Sequence, residues 1–75
     1  MNRYPTEDKD TGVIAYETTP DSIAIKFRDG SVYLYTKQST GAYNIAQMKH
    51  LAQKGEGLTT YINQNIREKY EAKLS

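Results

Sequence analysis

The chain has 75 residues, no cysteine and a formal net charge of +1, which predicts a single domain near the lower size limit for a self-sufficient core. The absence of cysteine excludes disulfides and thiolate metal sites. No apolar run approaches the ~18 residues of a membrane helix, so we expect a cytoplasmic protein without a membrane segment.

The charged residues are unevenly distributed along the chain. Residues 1–20 carry an acidic excess, and residues 21–75 carry a modest basic excess. A basic folded part permits a polyanionic partner without requiring one. Residues 1–11 are polar and dense in charge, which is typical of a disordered leader. The sequence therefore predicts one folded domain over residues 12–75.

The first half of that domain has the pattern of antiparallel strands. Residues 13–16 are predicted to form a strand that ends at the turn of residues 18–21. In residues 22–36, apolar and polar side chains alternate on both sides of Asp29-Gly30. This dipeptide is a strong signal for a two-residue hairpin turn. Such a turn pairs Phe27 with Val32 and Lys26 with Tyr33.

Directly opposed residues of a hairpin share one face of the sheet. The two-residue turn therefore predicts a core face and an open face. The core face would carry Ile23, Ile25, Phe27, Val32 and Leu34, and the open face Ala24, Lys26, Arg28, Tyr33 and Tyr35.

From Ala42 onward the spacing of the apolar residues changes from every second residue to about every 3.6 residues, which predicts helices. Ser39 or Thr40 is available to cap the first helix, and Gly55 is suited to end it in a left-handed conformation. Its apolar stripe is Ile45, Met48, Leu51 and Ala52.

A second helix is predicted after the glycines at positions 55 and 57, with Thr59 or Thr60 as its N-cap. Its apolar stripe would be Leu58, Ile62, Ile66, Tyr70 and Leu74. The fold class is therefore α+β, with a three-stranded antiparallel meander followed by two C-terminal helices packed on one sheet face.

The order of these motifs resembles that of a known family. The matching residues are Tyr16, Asp29-Gly30, Tyr33-Leu34-Tyr35, Lys54-Gly55 and the Ile66-Arg67-x-x-Tyr70 segment. Over residues 13–70 the chain resembles the KTSC family, a small bacterial domain found alone and at the C-terminus of some lysyl-tRNA synthetases. That family has no established activity, and the fusion to a synthetase suggests that the domain binds RNA.

Catalytic and metal sites are not indicated by the residues present. His50 is the only histidine, so neither a zinc ligand set nor a histidine base beside a nucleophile is available. Residues 54–60 contain two glycines before a predicted helix but lack the Gly-Lys-Ser/Thr ending of a phosphate-binding loop. We therefore expect a non-catalytic protein with no metal and no cofactor.

The predicted open face is the candidate site. Tyr33 and Tyr35 could stack against bases while Lys26 and Arg28 meet phosphates, as in modules for single-stranded RNA. Arg67 is a further candidate phosphate contact. The alternative is a protein-interaction module in which the same Tyr-rich face binds a protein partner or a second copy of the chain. Tyrosine is also common in strands without any binding role.

Overall fold

The computed structural model describes residues 1–5 and 12–75. Its architecture is α+β, as the sequence predicts, with one five-stranded antiparallel sheet whose strands lie in chain order. The elements are β1 (Asn2–Arg3), β2 (Val13–Thr19), β3 (Ser22–Phe27), β4 (Val32–Thr36), α1 (Lys37–Thr40), α2 (Ala42–Lys54), α3 (Leu58–Tyr61), a π-helix (Ile62–Ile66) and β5 (Ala72–Lys73).

The predicted three-stranded meander is present as β2, β3 and β4, and a two-residue strand extends it at each edge. At the first edge, Asn2 pairs with Tyr16. Tyr4 is only 3% exposed, and its hydroxyl oxygen accepts a hydrogen bond from the backbone N–H of Leu58 at 3.3 Å. The prediction of a loose leader is therefore wrong for residues 2–4, and residues 6–11 lie outside the described residues.

The hairpin between β3 and β4 has a three-residue loop instead of the predicted two-residue turn. The N–H of Phe27 donates to the carbonyl oxygen of Ser31 at 2.8 Å, and the N–H of Gly30 donates to that of Phe27 at 2.9 Å. Gly30 has a φ of +91°, so the loop has the form of a type I turn followed by a glycine bulge. Consequently Ile25 pairs with Tyr33.

This one-residue difference in register moves every side chain of β4 to the other face. Tyr33 and Tyr35 lie on the core side, and Val32 and Leu34 face away from the helices, so the predicted face assignment is wrong for β4. Tyr35 is only 1% exposed. The sheet side of the core is formed by Val13, Tyr16, Ile23, Ile25, Phe27, Tyr33 and Tyr35.

The helix α2 packs on this core side of the sheet. Ile45, Met48 and Ala52 are its buried residues, as the apolar stripe predicts. Gly55 ends the helix with a φ of +76°, and its N–H donates to the carbonyl oxygen of Leu51. The left-handed C-cap is thereby confirmed.

The N-terminal caps differ from the predicted ones. Thr36 caps the short helix α1 in a capping box with Ser39, whereas α2 begins after Gly41 without a side-chain cap. Helix α3 begins after Gly57 without a side-chain cap, so Thr59 and Thr60 both lie inside it. The hydroxyl oxygen of Thr59 accepts a hydrogen bond from the N–H of Val13 at 3.3 Å.

The second predicted helix is shorter than its apolar stripe. It continues through the π-helix and ends at Ile66, after which the chain turns and adds β5 beside β4. Glu71 donates its N–H to the carbonyl oxygen of Leu34 at 2.7 Å, and Leu74 donates to that of Val32 at 2.7 Å. The C-terminal segment thus forms hydrogen bonds with backbone groups of β4 that would be unpaired at a free strand edge. The prediction of a helix through Tyr70 and Leu74 is therefore wrong.

None of the helices in the described ranges has the length and apolar character needed to cross a membrane.

Candidate ligand-binding cleft

A cleft of about 500 Å³ opens beside the tip of the β3–β4 hairpin. Three separate segments form it: the hairpin, the π-helix with the turn that follows it, and the beginning of β2. Its lining residues are Gly12, Phe27, Arg28, Asp29, Ser31, Tyr33, Tyr35, Ile62, Asn63, Arg67, Glu68 and Tyr70.

Aromatic rings form one wall of the cleft. Tyr33 contacts Phe27 edge to face with ring centroids 5.7 Å apart, and it contacts Tyr70 at 4.7 Å with tilted planes. Tyr35 meets Tyr70 edge to face at 6.4 Å. Tyr70 is 39% exposed. The wall therefore offers a planar organic ligand a partly open aromatic surface on a rigid base.

Tyr70 is held in this wall by the backbone on either side of it. The carbonyl oxygen of Lys69 accepts a hydrogen bond from Thr40 Oγ1 at 2.8 Å. The side chain of Glu71 accepts one from Thr36 Oγ1 at 3.0 Å. These bonds fix the segment against β4 and α1, which explains how an exposed ring keeps a defined position.

Two arginines lie at the rim from opposite sides. Arg28 belongs to the hairpin loop, where its N–H donates to the carbonyl oxygen of Gly12 at 2.8 Å, and Arg67 directly follows the π-helix. Neither guanidinium forms an ion pair with any carboxylate of the described residues. Lys73 adds a third cation, with Nζ 5.9 Å from the centroid of the Tyr33 ring. The side chains at this end of the molecule therefore suit an anion.

Two carboxylates also line the cleft, and one of them is already engaged. Asp29 accepts hydrogen bonds from the N–H of Ser31 at 2.9 Å and from its hydroxyl at 2.6 Å. These bonds, from the Ser31 side chain first and then from its backbone, lower the pKa of Asp29. Asp29 thus stabilises the loop and stays ionised, so the lining holds two carboxylates, Asp29 and Glu68, beside the two arginines.

Tyr35 is a nearly buried member of the aromatic wall, with 1% of its surface exposed. Burial, followed by the neighbouring Tyr33 and Tyr70, raises the pKa of Tyr35 to about 12. The group therefore stays protonated at neutral pH and is a hydrogen-bond donor in the cleft.

The π-helix brings polar side chains to the opposite wall. Ile62 and Ile66 are each 1% exposed and anchor it in the core, while Asn63 and Arg67 line the cleft. Single π turns of this kind are often found at functional sites.

Four of the five predicted site residues meet in this cleft. Arg28, Tyr33, Tyr35 and Arg67 line it, although the two tyrosines reach it from the core side of the sheet. Lys26 pairs with Val32 and lies on the opposite face, away from the other four. The candidate site is therefore a cleft and not the open sheet face that the sequence predicts.

The residues that sequence reasoning missed are Phe27, Asn63 and Tyr70. The spacing of the apolar residues predicts core positions for Phe27 and Tyr70. The signal for Tyr70 is its place after Arg67 in the Ile66-Arg67-x-x-Tyr70 segment, and the signal for Asn63 is its place in the Ile62-Asn63 pair, which belongs to the same family resemblance.

Across residues 1–5 and 12–75, no three His, Cys, Asp or Glu side chains lie close enough together to hold a metal ion. Comparisons with known proteins give no further assignment: no family model matches the chain, and no match was found among curated proteins or solved structures.

Proposed function

We propose that this protein is a small non-catalytic module that binds single-stranded nucleic acid, with RNA as the first candidate, in the cleft at the hairpin tip. The observation that carries the proposal is the convergence of an aromatic wall with Arg28 and Arg67, two arginines without an ion-pair partner among the described residues. Aromatic surface for bases and cations for phosphates are the two features that such modules combine.

The dimensions of the cleft limit how much of a strand it takes. A volume of about 500 Å³ lies within the ~300–1,000 Å³ typical of small-molecule sites. One nucleotide fits that space, with its base against Tyr70 and Tyr33. The phosphates on either side of that nucleotide then reach Arg28 and Arg67 at the rim.

The resemblance to the KTSC family supports RNA, through the fusion of that domain to some tRNA synthetases. We propose that the protein acts in the cytoplasm.

The competing proposal is that the cleft binds a protein ligand with an aromatic side chain and an acidic group, because tyrosine and arginine are also common in protein interfaces. Salt dependence distinguishes the two, since phosphate contacts weaken steeply as salt rises.

The test is a titration of a fluorescein-labelled, mixed-sequence single-stranded RNA, followed by anisotropy at several salt concentrations. We expect a linear fall of log affinity with log salt. Arg28→Gln and Arg67→Gln should each weaken binding and reduce the magnitude of the slope by about one. Lys26→Gln is the matched control, because it removes a cation of the same hairpin from the opposite face.

Unchanged binding of Lys26→Gln beside weakened binding of both arginine variants supports the cleft. Absence of RNA binding in the wild type overturns the proposal. An equal loss in all three variants assigns binding to net charge alone and overturns the cleft as the site.

A further inference from the structure

The sheet face opposite the helices carries exposed or half-buried side chains among residues 1–5 and 12–75, apart from Ser22 and Ala24 on β3, which are 9% and 7% exposed. Its residues follow from the strand register, because side chains alternate between faces along each strand. We call this surface the open face of the structure; it differs from the open face predicted from the sequence because β4 contributes Val32 and Leu34 to it in place of Tyr33 and Tyr35. Its central part consists of Arg3, Ala15, Glu17, Ala24, Lys26, Val32, Leu34, Ala72 and Leu74.

The half of the open face on β4 and β5 is apolar. Leu74 is 56% exposed, and Val32, Leu34 and Ala72 are half-buried. An antiparallel sheet with one face in water normally carries polar residues on that face. This apolar half is therefore suited to contact with another protein surface.

The charged residues of the open face lie in two adjacent rows that run across the strands. The first row contains Arg3, Ala15, Lys26 and Val32, which are paired strand to strand. The second row contains Glu17, Ala24, Leu34 and Ala72. The first row is therefore basic and the second acidic.

We propose that the open face binds the open face of a second copy of this chain, about a two-fold axis that runs across the strands between the two rows. Rotation about such an axis lays the basic row of one copy on the acidic row of the other. Val32 then meets Leu34 of the other copy, and Lys26 lies next to Glu17 of the other copy. Each contact occurs twice, as in any isologous interface.

The charges select this axis over the alternative one. An axis parallel to the strands lays each row on itself, so that the nearest carboxylate to Lys26 lies in the neighbouring row, about 7 Å away along a strand instead of about 4.8 Å away across the strands. Within the described residues, neither Lys26 nor Glu17 has an ion-pair partner in the same chain. The axis across the strands thus brings these free charges closer to each other than the alternative axis does.

The size of the open face sets the strength of the dimer. Strands about 4.8 Å apart and two rows of side chains give a contact of a few hundred Å², which is below the roughly 800 Å² per partner of a standard interface. The dimer is therefore weak and forms only at high protein concentration. It leaves the cleft free, because the cleft lies on the other side of the sheet.

Sedimentation equilibrium from about 10 μM to about 1 mM tests the proposal, since weak interfaces populate in that range. We expect reversible dimerisation of the wild type that Leu34→Lys abolishes. Glu17→Lys and Lys26→Glu should each weaken it at least several-fold. The double variant should recover part of it, because the contacts between positions 17 and 26 re-form with reversed signs while Arg3 of the first row then lies beside the new lysine. Glu56→Lys, in the exposed turn after α2, is the control and should dimerise as the wild type does.

Amide spectra of each variant establish that it is folded before its mass is compared. A wild type that remains monomeric at the highest concentration overturns the dimer. Dimerisation that the double variant fails to recover overturns the paired rows.

Discussion

The backbone N–H of Phe27 donates to the carbonyl oxygen of Ser31 at 2.8 Å, and this hydrogen bond closes a three-residue loop at the tip of the central hairpin. Because Phe27 and Ser31 are paired, Tyr33 and Tyr35 point to the same side of the sheet as Phe27. The aromatic wall of the cleft therefore depends on the length of one loop. Gly30 is the residue that allows that length, since its φ of +91° is one that residues with a Cβ rarely adopt.

Replacing Gly30 with Ala should lower the free energy of unfolding by about 1–2 kcal/mol. An added Cβ would meet no atom within 4 Å, so the cost is conformational and not steric. Gly30→Asn should cost less, because asparagine tolerates positive φ better than alanine does. Urea unfolding followed by circular dichroism measures both; equal losses would contradict a conformational origin.

Alkaline pH should destabilise the fold through Tyr35. Its pKa is raised to about 12 by burial, with Tyr33 and Tyr70 adding to the effect, whereas a tyrosine in the unfolded chain titrates near ~10. Between these values the unfolded state releases its proton first, so the free energy of unfolding falls as pH rises. The contribution is fully present below about pH 10 and declines between about pH 10 and about pH 12, and its complete loss above that range amounts to roughly 2–3 kcal/mol.

The measurement is urea unfolding of the wild type and of Tyr35→Phe from about pH 9 to about pH 11.5. Phenylalanine keeps the ring and removes the titrating group, so the variant should lose stability less steeply with pH. Parallel curves for the two proteins would show that Tyr35 does not titrate as its burial requires.

Tyr4 should contribute to stability although it lies outside the predicted domain. Its ring is 3% exposed, and its hydroxyl oxygen accepts the backbone N–H of Leu58 at the start of α3. Tyr4→Ala should cost about 3–5 kcal/mol, as for other buried aromatic residues. Tyr4→Phe should cost about 1 kcal/mol, the value of one hydrogen bond. Thermal unfolding of both variants checks this, and a wild-type melting temperature for Tyr4→Ala would contradict the docking of residues 2–4.

Tyr70 should matter more for RNA binding than for folding. It is 39% exposed and forms part of the cleft wall, so Tyr70→Ala should weaken RNA binding by about tenfold, as expected for a lost base-stacking ring. Tyr70→Phe should bind normally. Tyr43→Ala removes a tyrosine that is 73% exposed on α2 and is the matched control. Equal effects of the Tyr70→Ala and Tyr43→Ala variants in the anisotropy titration would refute a role for the wall.

Local patterns in the sequence were sufficient to predict the three central strands, the buried apolar residues of α2 and the left-handed C-cap at Gly55. The register of the hairpin could not be predicted from such local patterns. Asp29-Gly30 fits both a two-residue turn and the end of a three-residue loop. The residues of β4 do not distinguish the two loop lengths, because tyrosine is compatible both with the edge of the core and with a position exposed to water.

The C-terminal segment shows a second limit of local patterns. Ile62, Ile66 and Tyr70 are spaced like one face of a helix, yet β4 would have kept an unpaired edge if the helix had continued. The pairing of residues 71–75 with β4 satisfies that edge. Such a competition depends on tertiary contacts that helix periodicity does not contain.

We propose that nucleic acid binds in the cleft and not on the open face of the structure. An NMR titration of the isotope-labelled protein with a short mixed-sequence single-stranded RNA distinguishes the two surfaces. We expect amide shifts that fade with salt and concentrate at Arg28, Tyr33 and Arg67, with little change at Lys26. A titration without shifts, or shifts centred on Lys26 and Leu34, would contradict it.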